Sequence, residues 1–210
     1  MRSDSSFLST FSFLLSTLPR APPSHVDFEK SIPRIVAAFD SAGIRYALIG
    51  GLAMAFRGAQ RATLDIDFIL LLDDLTAAHA LLGTLGYHRE FQSENVSHYL
   101  SPDSALGRID LLHAFRGPTL GMLARAERIA IADGVNLPVV HIEDIIGLKI
   151  QASVNDPARH YRDWGDIHML VSGAAERGDP LNWSLIGEYL ALFGLESQLN
   201  ALQQIHGDAH

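Results

Sequence analysis

The sequence predicts an α/β or α+β fold: a small mixed β-sheet with helices interleaved early, followed by a helical C-terminal part. Three observations predict it. Residues 64–72, LDIDFILLL, make an apolar run of strand length. Around it, strand-length and helix-length runs alternate, separated by Gly, Pro and Asp. Beyond residue 141 the apolar spacing is helical.

Taken in order, residues 1–25 read as an N-terminal extension. Phe7 to Leu18, FLSTFSFLLSTL, is 12 residues long and interrupted by Ser and Thr. It is too short to cross about 30 Å of hydrocarbon, which needs roughly 20 residues. It has the look of a weak signal peptide, but PRAPPSHVD after it offers no convincing small-x-small cleavage site. Pro19 to Ser24 reads as a stiff spacer.

A core over residues 26–141 follows. A helix from Asp27 to Ser41, with a break expected at Pro33, carries Ile35, Val36, Ala38 and Phe39 on its apolar face and ends at Gly43. Ile44 to Ile49 reads as a strand, and Leu52 to Arg57 as a short helix closed by Gly58. After the 64–72 strand, Asp73-Asp74 is expected to cap a helix reaching Leu85. Tyr87 to Gln92, Val96 to Ser101 and Gly107 to Leu112 read as strands, the last two parted by Pro102-Asp103-Ser104. A helix from Pro118 to Ala126 comes next, then a hairpin about Asp133-Gly134. A helical C-terminal subdomain, 142–210, has helices at 142–154, 159–172 and 182–205, the last broken at Gly194.

Composition narrows the function. The 210-residue chain is 48% hydrophobic and 19% charged, which is globular and not disordered. Its 16 Lys and Arg against 24 Asp and Glu give a net charge of −8. Strong general nucleic-acid binding is not expected, because that affinity comes from counterion release by basic side chains. The absence of cysteine excludes disulfides, a thiol nucleophile, Fe–S ligation and cysteine zinc sites. It fits a reducing compartment, and the expected location is cytoplasmic with no membrane partner. There is no G-x-x-x-x-G-K-[ST] loop, no dinucleotide fingerprint, no H-E-x-x-H and no G-x-S-x-G elbow. Arg162 and His168 match an R-x-x-x-x-x-H spacing that chance explains.

The chemistry concentrates in Leu48 to Leu72. A strand ends in Gly50-Gly51 and a helix follows at once, which presents bare backbone N–H groups at a phosphate-sized anion site. A tight strand-to-helix turn is the alternative. Asp65 and Asp67 alternate with apolar residues, so period two places both carboxylates on one face, roughly 6.5–7 Å apart. Like charges on a half-buried strand are costly, and a hard divalent cation such as Mg²⁺ removes the conflict. Simple hydration at an exposed strand end is the alternative. Asp110, in RIDLL, joins the pair if its strand lies alongside. Three carboxylates can hold two ions roughly 3.5–4 Å apart for phosphoryl transfer. Otherwise Asp110 is a strand-edge charge.

Gly50-Gly51, a short helix, Asp65-Ile66-Asp67 and a later strand bearing Asp110 resemble the nucleotidyltransferase fold of the DNA polymerase beta superfamily. Thirteen residues separate Gly51 from Asp65, as that pattern requires. GGLAMAFRGAQRATLDIDF is similar to small bacterial AbiEii-type nucleotidyltransferase-like proteins, in which Arg-x-Thr-x-Asp-Ile-Asp is common; Arg61, Thr63, Asp65 and Asp67 match it. Ile142 to Lys149 and Arg162 to Ile167 resemble two later helices of the family, so the resemblance spans about residues 30–171.

The resemblance implies transfer of a nucleoside monophosphate from an NTP, assisted by Mg²⁺ at a two-ion site. Asp65, Asp67 and Asp110 are then the catalytic metal ligands. Gly50, Gly51, Arg61, Thr63 and Lys149 are the candidate nucleotide-binding residues. Arg61 has a solvated loop arginine as its alternative, Thr63 a strand-start residue, and Lys149 a surface residue of an amphipathic helix. Asp163 and Asp166 are expected to pair with Arg159 or Arg162, or to hold their helix against the sheet. Three functions remain open. One is an active transferase acting on RNA, protein or a small molecule, with a toxin–antitoxin role as a special case. The second is a nucleotide-binding module without turnover. The third is a partner protein of a two-component complex, and a protein partner or homo-oligomer fits it.

Overall fold

A computed structural model describes residues 26–132 and 134–208. The extension at residues 1–25 and the turn residue Asp133 lie outside them. The chain divides into two compact units. One comprises the described residues up to Ala53 together with Arg61–Val140; the other comprises Met54–Gln60 together with the residues from His141 onward.

The first unit begins with α1 (Phe28–Ser41). Asp27 caps it by accepting the Lys30 backbone N–H at 3.0 Å. The helix runs unbroken through Pro33. Its apolar spacing buries Phe28, Ile32, Ile35, Val36 and Phe39. Phe39 meets Tyr46 at 5.1 Å and Phe68 at 6.1 Å between ring centroids. Such aromatic pairs add about 0.5–1.5 kcal/mol beyond the area they bury.

Seven strands form one mixed sheet. They are β1 (Tyr46–Ile49), β2 (Asp65–Leu71), β3 (His88–Gln92), β4 (Val96–Leu100), β5 (Arg108–Ala114), β6 (Glu127–Ala132) and β7 (Val135–Val139). Their order is β3-β4-β5-β2-β1-β7-β6. β2 and β5 run parallel, as do β1 and β7; the other neighbours are antiparallel. The central position of β2 explains its long apolar run: Ile66, Phe68, Ile69 and Leu70 are fully buried. The short helix α2 (Gly50–Phe56) starts at the first residue after β1, two residues earlier than the sequence suggests. α3 (Leu75–Thr84) and α4 (Gly117–Arg125) complete this unit.

The expected capping role of Asp73-Asp74 is corrected in its detail. Asp74 holds the N-cap position of α3 but makes no cap bond. Its carboxylate instead accepts the Arg45 backbone N–H at 2.9 Å, Nε at 2.8 Å and Nη2 at 2.8 Å. A two-pronged guanidinium outcompetes a single amide for the same carboxylate. It holds the Asp74 pKa below the usual carboxylate value.

The second unit is helical: α5 (Ile142–Asn155), α6 (His160–Arg177), α7 (Trp183–Ala191) and α8 (Leu199–Asp208). Gly194, at φ 68°, lies between α7 and α8 and ends the helical run where expected. Ile145, Ile146, Ile150, Ile167, Leu170 and Leu190 form its apolar centre. Its buried carboxylates are matched, whereas the buried Trp164 Nε1–H has no hydrogen-bond partner among the described residues. Tyr189 Oη donates to Asp144 at 2.7 Å, and the Asn182 backbone N–H donates to Glu143 at 2.7 Å. The close pass of Tyr189 explains Gly147, where a Cβ would lie 2.7 Å from the ring. Among the described residues no helix is long and apolar enough to cross a membrane.

Candidate active site

The acidic residues gather on one face of the first unit's sheet because of strand register. In the parallel β2–β5 pair, Asp65 lies opposite Arg108 and Asp67 opposite Asp110. In-register partners on neighbouring strands point to the same side, so Asp65, Asp67 and Asp110 share a face. On their other side both strands bury Ile66, Phe68, Ile109 and Leu111. β4 adds His98 opposite Asp110, and β3 adds Phe91 opposite His98. One level of the sheet therefore reads Asp67, Asp110, His98, Phe91 across four adjacent strands.

Gly50 sits against Asp67. Its φ is +68°, a region that L side chains rarely adopt, and an added Cβ would fall 2.0 Å from Asp67 Oδ2. Both the backbone conformation and the approach of the carboxylate require glycine there. Gly51 is constrained by Thr63, whose Cβ would be 2.8 Å from an added Cβ. Thr63 thus packs on the glycine turn, and its hydroxyl donates to the Asp65 carbonyl at 3.3 Å. The structure brings Gly50, Gly51, Thr63, Asp65, Asp67 and Asp110 together in the first unit, where Arg61 also belongs.

Lys149 belongs to the second unit. Its ammonium is buried, 3.0 Å from Asp163 and 2.6 Å from Asp166. Arg159 reaches Asp163 from the other side at 3.1 Å. Lys149 is therefore not on an exposed helix face, and the expected Arg159–Asp163 pair is present with a lysine added to it.

Electrostatics set the three sheet aspartates apart from one another. Burial and the neighbouring Asp110 charge raise the Asp65 pKa, opposed by Arg108 and His98. Asp110 is held through a single oxygen, Oδ1. It accepts from Arg108 Nε at 2.7 Å and lies 2.7 Å from His98 Nδ1. That hydrogen bond, with the Asp110, Asp65 and Asp67 charges, raises the Arg108 pKa. As the side chains stand, no three His, Asp or Glu among the described residues converge as a closed metal cluster. The donor chemistry nonetheless fits Mg²⁺: the groups are hard carboxylate oxygens, few in number, and their mutual repulsion is the conflict that a cation relieves.

Arg108 and His98 are the residues that sequence reasoning missed, although both carried a signal. Arg108 stands two residues before Asp110, so period two places it on the same face. A hairpin turning near residue 104 pairs position 98 with 110.

The family model for the nucleotidyl transferase AbiEii toxin, type IV toxin–antitoxin system, matches residues 34–206. None of the curated proteins matches the chain. Similar solved structures include the antibiotic-resistance factor ANT(2'')-Ia, at 16% identity and a TM-score of 0.59, covering 87% of this chain and 100% of that one. An antigenic nucleotidyltransferase-like protein from Paracoccidioides brasiliensis is similar at 18% identity and a TM-score of 0.56, covering 86% and 92%. At such identities the likeness is one of fold, the nucleotidyltransferase fold expected from the sequence.

Proposed function

Given that the chain belongs to the AbiEii nucleotidyl transferase toxin family of type IV toxin–antitoxin systems, we propose that it moves a nucleoside monophosphate from an NTP to an acceptor, with Mg²⁺. The observation that carries this reading is the β2–β5 register, which sets Asp67 directly opposite Asp110 with Asp65 on the same face. Asp65 and Asp67 are the residues that would hold the ions and the triphosphate, and Asp110 would serve the acceptor side. Mg²⁺, when bound, would neutralise the charge that develops on the transferring phosphoryl group.

In-line displacement at the α-phosphorus asks mainly for positioning and charge balance. Gly50 and Gly51 would contribute side-chain-free backbone beside the Asp67 carboxylate for the phosphates to approach. Arg61 is the candidate cation for the triphosphate in the same unit, and Thr63 would hold the glycine turn in place. Lys149 is already ion-paired to Asp163 and Asp166 within its own unit, where it would serve as their countercharge.

The test is transfer of label from each α-³²P NTP, with Mg²⁺, into total RNA, protein and small-molecule extract. Label is expected with the wild type and not with Asp65→Ala/Asp67→Ala protein, and the labelled fraction identifies the acceptor class. Asp67→Asn is expected to abolish Mg²⁺–NTP stabilisation while the protein stays folded. Equal Mg²⁺–NTP binding by that variant would overturn the site assignment. Mg²⁺–NTP binding without transfer in any fraction would leave a nucleotide-binding protein that needs a partner.

A further inference from the structure

Asp110 is approached asymmetrically. Arg108 Nε and His98 Nδ1 both address Oδ1, each at 2.7 Å. Among the described residues Oδ2 has no hydrogen-bond donor. A carboxylate gripped through one oxygen cannot rotate freely about its Cβ–Cγ bond. Its second oxygen then keeps a fixed direction with its lone pairs uncommitted.

The two donors come from different strands, so the grip is built by tertiary pairing. Arg108 precedes Asp110 on β5, and His98 lies opposite it on β4. The His98 ring is itself held. Phe91, opposite it on β3, stacks on it with centroids 5.3 Å apart and planes at 23°. A histidine that gives Nδ1–H to a carboxylate has a defined ring orientation and tautomer.

We propose that His98 and Arg108 are positioning residues that clamp Asp110 through Oδ1 and thereby reserve Oδ2 for the acceptor-side ion. This rests on the proposed transferase reading, and the clamp acts through Asp110 without touching substrate. Outer partners of metal-binding carboxylates and histidines typically change metal affinity or activity by roughly 10–100-fold when removed.

The geometry provides a specific test, because the donor is Nδ1 and not Nε2. An asparagine amide nitrogen stands close to where Nδ1 stands, and a glutamine amide nitrogen close to where Nε2 stands. His98→Asn should therefore keep the clamp, whereas His98→Gln and His98→Ala should lose it. The measurement is Mn²⁺ binding to the full chain by electron paramagnetic resonance, without nucleotide, beside thermal melting and steady-state transfer. His98→Gln and His98→Ala are expected to bind Mn²⁺ roughly 10–100-fold more weakly and to lose kcat by a similar factor. His98→Asn is expected within about threefold of wild type, and KM for NTP should move little in any of them. Arg108→Met, which keeps the length of the side chain but has no donor where Nε stands, is expected to lose affinity as His98→Gln does, whereas Arg108→Gln, whose amide nitrogen stands close to where Nε stands, should keep the donor.

Equal Mn²⁺ binding and equal kcat across the three His98 variants would overturn the clamp. So would losses that follow melting temperature rather than donor position. Asp67→Asn runs alongside as the control for the reading beneath it. If that variant binds Mn²⁺ like wild type, the metal site itself is misassigned and the clamp falls with it. If it loses Mn²⁺ while the His98 variants do not differ, the site stands and only the clamp falls.

Discussion

Each unit carries two aspartates that its secondary structure brings to one face: Asp65 and Asp67 two apart on a strand, Asp163 and Asp166 three apart on a helix. The helical pair is deeply buried, with Asp163 at 0% and Asp166 at 4% exposure, and Lys149 sits against both. The strand pair is half-buried, and burial together with a neighbouring carboxylate raises the Asp65 pKa. The difference follows from the cost of desolvation. A fully buried carboxylate needs a cation from the protein itself, because an uncompensated charge there costs several kcal/mol. A carboxylate still in touch with water can keep its charge for a ligand. Acidic spacing alone does not separate a structural network from a candidate ligand site; burial separates the two pairs here.

The sharpest way to break this comparison is to neutralise one member of each group. Lys149→Met leaves Asp163 and Asp166 buried without their ammonium. The expected loss is about 3–5 kcal/mol of unfolding free energy, read by urea denaturation. Arg159 still pairs with Asp163, which places the loss toward the lower end. A loss under about 1 kcal/mol would mean that the pair behaves like a surface bridge, and the contrast with the sheet would fail. Gly50→Ala should come next. A positive-φ position costs an L residue roughly 1–2 kcal/mol, and the new Cβ must also push Asp67 aside. The variant should melt lower and lose Mg²⁺–NTP binding together. Retained binding would show that the Asp67 position is not critical.

The sheet half of the comparison was legible in the sequence for a simple reason. Aspartates set at period two inside an apolar strand, after a glycine pair, are costly on a half-buried strand unless its end is hydrated or a cation is near. Their shared face follows from that period, whereas Asp110 is a partner only on the condition that its strand lies alongside, which the β2–β5 register meets. Lys149 was less legible, because a lysine on an amphipathic helix looks the same from the sequence whether it faces water or Asp163. The period of one helix does not reveal what packs against it. Asp74 illustrates a related gap: its N-cap position was visible, but the guanidinium of Arg45, 29 residues earlier, was not. Arg108 and His98 carried local signals, yet their meaning depends on which oxygen of Asp110 they reach, and only coordinates supply that.

A smaller effect of opposite sign is expected at Asp65. Its carboxylate has a raised folded pKa, so the folded state holds the proton more tightly than the unfolded chain. Without divalent ions, that site loses stability as pH rises from the unfolded value near 3.9 through the folded pKa. Asp65→Asn removes the repulsion with Asp110. It should stabilise the metal-free protein by roughly 0.2–1 kcal/mol at pH 7, the usual size of a like-charge pair on adjacent strands. Saturating Mg²⁺ should raise the wild type and leave the variant behind. Acid-to-amide changes should thus help the first unit while Lys149→Met harms the second, and a destabilised metal-free Asp65→Asn would contradict that.

The smallest expected effect refines the comparison within a single strand. His113 follows Asp110 on β5 but faces the core, 2% exposed, and both its ring nitrogens are matched. Nδ1 meets the Glu94 carbonyl at 2.9 Å, which requires Nδ1–H, and Nε2 then accepts the Ser97 hydroxyl at 2.8 Å. Burial lowers its pKa from 6.5, so the folded protein holds the ring neutral. The unfolded chain takes up a proton first as pH falls. The associated stability is whole above about pH 6.5 and is lost as pH drops through the folded pKa. Urea midpoints measured from pH 7.5 down to 5 should fall more steeply for wild type than for His113→Phe. That variant is less stable throughout, because it strands the Glu94 carbonyl, but it has no ring to charge. Parallel slopes would mean that the charge is tolerated at a core-facing position of the strand that carries Asp110, and that facing inward does not by itself impose neutrality.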